Sequence, residues 1–103
     1  MSAFLDQPVR TRPARAIYTG VKNVTTAGTR VAVGTTTGLE RGVTVKAKAT
    51  NTGLIYVGGV TVASSNGYQL SPGDEVFLES VSLATVYIDS AVNAEGVSYI
   101  AQS

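Results

Sequence analysis

With 103 residues the chain has room for one small domain, and with no cysteine there is no disulfide to reinforce a thin core. The absence of both His and Cys removes Ser-His-Asp and Cys-His nucleophilic systems, thiolate chemistry and the usual zinc ligand sets. The formal net charge is only +1, but all eight basic residues lie between Arg10 and Lys48, so the first 48 residues carry 8 − 2 = +6 and the remaining 55 carry −5.

Residues 1–15 differ from the rest. They contain no apolar run, so no secretory signal is expected. Pro8 and Pro13 bracket Arg10 and Arg12, with Arg15 just beyond and Phe4 and Leu5 ahead. Two prolines so close remove backbone donors and bias their neighbours to extended conformations, which predicts an extended basic arm. Such a segment is either a loose terminus or an arm that orders against a neighbouring subunit. In the second case Phe4 and Leu5 are its apolar anchors, and Arg10, Arg12 and Arg15 its ion-pairing points.

From residue 16 to 103 the pattern is that of a single β domain. Residues 16–22 form the first candidate strand, with Gly20 as a candidate bulge, and residues 29–33 the second. Residues 43–50 alternate most cleanly: Val43, Val45, Ala47 and Ala49 fall on one face, Thr44, Lys46, Lys48 and Thr50 on the other. Strands are expected at 54–57, 60–63 and 68–70, with Asn66-Gly67 as the strongest hairpin signal. Ser71-Pro72-Gly73-Asp74 reads as a type II turn, and strands at 75–79, 85–89 and 97–101 complete the chain. About eight short strands with turn signals every ten residues or so predict an all-β fold, a small antiparallel sandwich or barrel. No apolar stretch approaches the ~20 residues of a membrane helix, so a soluble protein is expected.

Several strands are apolar on both faces. If Val76 and Leu78 face the core, Phe77 faces outward; the same logic turns Tyr87 and Ile100 out, and residues 54–57 are apolar whichever way they are set. Ile55, Val57, Phe77, Tyr87 and Ile100 are therefore the candidate second face. Either loops and the arm cover that face or it is a subunit interface, and the size of the set favours an oligomer. The charge split is likewise open to two readings: folding interleaves the halves and cancels the field, or the molecule has a positive and a negative end suited to repeating contacts.

Catalytic signals are weak. Asp74 and Glu75 point to opposite faces of a strand, and Glu75 and Glu79 are roughly 13 Å apart along one, so neither pair is spaced as a carboxylate dyad. They read better as charges that protect a sheet edge. There is no phosphate-binding loop and no EF-hand spacing; Asn23-Val24-Thr25 matches a glycosylation sequon, a pattern too short to carry weight alone. Nucleic acid is not expected as a partner: Arg10, Arg12, Arg15, Lys22 and Arg30 could meet phosphates, but no strand combines aromatic and basic residues as a stacking platform. No enzyme activity, cofactor or metal is expected.

N-T-G-L-I-Y-V-G-G (51–59), L-S-P-G-D-E-V-F-L (70–78), L-A-T-V-Y-I (83–88) and V-S-Y-I-A (97–101) resemble small β-rich virion proteins of tailed bacteriophages, of the head decoration or cement type. The resemblance covers roughly the last half of the chain. It implies a non-enzymatic structural protein, made in the host cytoplasm and placed on the capsid surface of the virion. There it would stabilise the capsid by bridging major capsid proteins, as a homo-oligomer with the trimer favoured. Two alternatives remain: a minor virion protein at the head–tail junction or tail, and a small carbohydrate- or cell-surface-binding module, for which Tyr68 beside Asn66-Gly67 is the one hint.

Overall fold

In the computed structural model residues 16–102 are described, except 38, 40, 80 and 81. The expected arm, with Phe4, Leu5, Arg10, Arg12 and Arg15, lies outside the described residues. The strand with the cleanest alternation, β3 (Gly42–Ala47), shows the logic of the fold: Val43, Val45 and Ala47 are fully buried, while Lys46 on the opposite face is exposed. The other strands are β1 (Ile17–Val24), β2 (Val31–Ala32), β4 (Ile55–Gly58), β5 (Tyr68–Leu70), β6 (Glu75–Leu78), β7 (Tyr87–Ser90) and β8 (Glu95–Gln102).

These eight strands form two four-stranded antiparallel sheets, A in the order β1-β8-β3-β6 and B in the order β2-β7-β4-β5. The fold is all-β, as expected, and of the two architectures it is the sandwich: among the described residues each sheet keeps two free edges and no barrel closes. The core is aliphatic and small-residue rich, with Val43, Val45, Val97 and Ala101 from sheet A meeting Ile55, Val57, Leu70 and Ile88 from sheet B. Val33, Leu39 and Leu83 fill it from the connections.

Four expectations need correction. Gly20 is not a bulge: β1 pairs with β8 through eight consecutive residues, Gly20 opposite Tyr99. A Cβ at Gly20 would stand 2.5 Å from the Tyr99 Oη, so the glycine makes room for a ring that packs on the core. Residues 60–63 are not a strand. They belong to a loop between β4 and β5, begun by a turn in which Val62 N–H donates to Gly59 O (3.0 Å). Asn66-Gly67 consequently makes no two-residue hairpin. The Asn66 side chain closes the loop instead, accepting from Ala63 N–H (2.8 Å) and donating to Thr61 O (3.3 Å). Finally, Ile55 and Val57 are not on an outer face: at 0% and 4% exposure they are core residues. Between them Tyr56 points outward, yet it is buried because the loop folds over it. The type II turn is present as expected, with Gly73 at φ +90° and Asp74 N–H donating to Ser71 O (2.9 Å).

Sheet A alternates strands from the two halves of the sequence, which interleaves the opposite charges. Lys46 stands directly across from Glu75. The described residues hold five basic side chains (Lys22, Arg30, Arg41, Lys46, Lys48) and five acidic ones (Asp74, Glu75, Glu79, Asp89, Glu95), so their charges balance.

Candidate assembly surface

The register of sheet A sets Thr19, Ile100, Thr44 and Phe77 side by side in one row across all four strands. Two residues along the strands, Val21, Ser98, Lys46 and Glu75 form the next row on the same face. Ile17 and Gln102 begin the row on the other side. This outer face therefore carries Ile17, Val21, Phe77 and Ile100, exposed by 63%, 60%, 55% and 45%. They lie among threonines and a serine, with the Lys46–Glu75 pair at one margin. Three of the four apolar residues stand on the edge strands β1 and β6 and Ile100 on an inner strand, and so many large apolar side chains exposed on one sheet face suit a protein contact.

Gly42 keeps the Phe77 end of the row in place. Its φ is +89°, and a Cβ there would overlap Leu78 O and stand 3.0 Å from the tip of the Phe77 ring. No residue with a side chain fits without moving the backbone of β6. Phe77 and Ile100 thus share one face, as their strand patterns suggested. Tyr87 does not join them: it is half-buried on the outer side of sheet B, between Ala32 and Gly58. Ile17 and Val21 belong to the surface although sequence reasoning did not select them. Their signal was the spacing of Ile17, Thr19 and Val21 on one face, opposite the face on which Gly20 accommodates Tyr99.

The polar side chains at the sandwich ends are engaged in holding loops. Glu95 accepts from Thr52 N–H (2.7 Å), Thr52 Oγ1 (2.8 Å) and Gly53 N–H (3.0 Å). Desolvation acts to raise its pKa, but the three hydrogen bonds together outweigh this and hold the carboxyl below the usual glutamate range. Asn51 mimics a strand partner for Gly96, donating to its carbonyl (2.8 Å). Buried Asp89 accepts from Gly28 N–H (2.9 Å) and Ser90 N–H (2.8 Å), and Asn93 from Ala27 N–H (2.8 Å). Asp74 accepts from Ser71 N–H (3.1 Å) within its own turn. Glu75 and Glu79 are exposed along edge strand β6 and just past it, as expected for edge charges. Tyr68 is 63% exposed on the opposite edge, beside an Asn66 amide whose two polar atoms are already bonded within the loop.

Among the described residues no group of three or more metal-ligating side chains gathers, and no helix is long and apolar enough to cross a membrane. No family model, no curated protein and no solved structure matches the chain.

Proposed function

We propose that this chain is a non-enzymatic structural protein of a tailed-phage virion, which lays the outer face of sheet A on the capsid and bridges neighbouring major capsid proteins. The observation that supports this reading is the row Thr19–Ile100–Thr44–Phe77 flanked by Ile17 and Val21: half of the eight large exposed hydrophobics among the described residues lie on this one face. The resemblance of the last half of the chain to head decoration proteins supplies the identity of the surface it meets. The polar groups that could otherwise suggest chemistry have loop-holding partners, as described above for Glu95, Asp89 and Asn51.

The test is direct. The purified full chain is mixed with empty shells assembled from a tailed-phage major capsid protein, and the shells are sedimented. The chain is expected in the pellet at a fixed ratio to capsid protein, and the loaded shells are expected to disrupt at a higher temperature than bare ones. A chain that stays in the supernatant at all concentrations contradicts the proposal.

A further inference from the structure

We propose that two copies of this chain pair through strand β1 into a two-fold dimer whose A sheets join as one eight-stranded sheet. The starting point is which way the β1 backbone points. Lys48 N–H donates to Gly96 O (3.2 Å), in line with the β3–β8 register, so the even-numbered residues of β8 bond toward β3 and its odd-numbered residues toward β1. Through the β1–β8 register this commits Tyr18, Gly20, Lys22 and Val24 to β8. The N–H and C=O groups of Ile17, Thr19, Val21 and Asn23 point away from the sheet, along an edge that no other described strand covers.

That edge differs from the other three. Strands β2 and β5 are two and three residues long, too short to hold a partner strand alone. The free edge of β6 is flanked by Glu75 and Glu79, and a copy paired about Phe77 would set glutamate opposite glutamate. The β1 edge is eight residues long, and its outward-bonding positions carry no charge. It also fits itself. In the two-fold register centred on Thr19, Ile17 lies across from Val21 of the second copy, and Val21 across from Ile17, on the exposed face. The one charged residue of the strand, Lys22, then stands roughly 20 Å along the strands from its counterpart, by the usual rise per residue. Registers centred on Val21 or Asn23 bring the two lysines within about 7 Å along the strands and leave Ile17 with no partner in the second β1. The occupant that satisfies the free backbone groups, the side chains and the charge at once is a second β1.

This dimer does not require the capsid reading, and the two fail separately. A wild-type monomer that pellets with shells sinks the dimer alone, and a dimer that ignores shells sinks the capsid reading alone. The test uses native mass spectrometry and light scattering on the full chain, together with Thr19→Pro and Thr19→Cys. The wild type is expected to be a dimer at micromolar concentration. Thr19→Pro removes only an outward N–H, so it is expected to stay folded and become monomeric; Gly20→Pro, which breaks a bond to β8, is expected to destabilise the fold itself. In a chain that has no other cysteine, Thr19→Cys is expected to form a disulfide-linked dimer on mild oxidation. A monomeric or trimeric wild type, a folded Thr19→Pro variant that remains dimeric, or a Thr19→Cys variant that does not cross-link would overturn the proposal.

Discussion

Replacing Phe77 by Asp separates docking from folding. Phe77 is 55% exposed on the outer face of sheet A, while its β6 neighbours Val76 and Leu78 pack against the core. A phenylalanine has on the order of 200 Å² to bury, so roughly 100 Å² of this ring awaits a partner. At ~25 cal/mol/Å² that area is worth about 2.5 kcal/mol in the bound state, which weakens docking on the order of 60-fold when lost. A carboxylate pressed against the partner adds to the loss. The fold loses only the covered part of the ring, roughly 90 Å² or about 2 kcal/mol, which the ~5–15 kcal/mol typical of a domain can absorb. Ile55→Asp is the matched control: it puts a charge at a fully buried position and is expected to leave the chain unfolded. Urea denaturation followed by circular dichroism reads the fold, and a co-sedimentation titration with shells reads docking. Phe77→Asp that unfolds refutes the assignment of strand faces. A folded variant whose shell affinity falls by less than about twofold refutes the docking role.

Two further predictions concern the scaffold. At Gly96 a Cβ would overlap Lys22 O and stand 2.6 Å from Asn23 Cα, whereas at Gly59 it meets nothing within 4 Å; Gly96→Ala should therefore cost at least about 2 kcal/mol in urea denaturation and Gly59→Ala next to nothing. Equal effects would contradict the close β1–β8 approach. The lowered pKa of Glu95 means that the unfolded chain binds the proton first as pH falls, so its contribution to stability is present above the ordinary glutamate pKa and is lost as pH drops through the folded value. Glu95→Gln should flatten the stability profile over that acidic window, and an unchanged slope would show that the clamp on Thr52 and Gly53 contributes nothing.

Much of the fold was legible because alternation in a thin sandwich is strict. Val43, Val45 and Ala47, the Pro72-Gly73 turn, and the outward setting of Phe77 and Ile100 all follow from a period of two and a turn residue that needs positive φ. Where the sequence was apolar on both faces, alternation could not choose. Residues 54–57 fit either setting; in the structure the 59–67 loop that follows β4 folds over Tyr56, and Ile55 and Val57 go to the core. Asn66-Gly67 was misleading for a related reason. Gly67 is there because a Cβ would stand 2.5 Å from Tyr56 Cβ, so the glycine serves packing and not a hairpin turn. The surface itself was half visible. A strand pattern shows which residues share a face, but Ile17 and Val21 join Phe77 and Ile100 only through the order β1-β8-β3-β6, and that order is set by pairings between residues far apart in the sequence.

The absence of cysteine makes the outer faces easy to probe one position at a time. Lys46 lies on the outer face of sheet A and Gln69 on the outer face of sheet B, and both are exposed. Single variants Lys46→Cys and Gln69→Cys, each bound to shells, can be labelled with a maleimide and the rates compared with those of the free protein. Docking through sheet A predicts that labelling slows at least about tenfold at position 46, a tenfold change being 1.4 kcal/mol, and stays the same at position 69. Unchanged labelling at 46, or protection at 69 alone, would contradict the account.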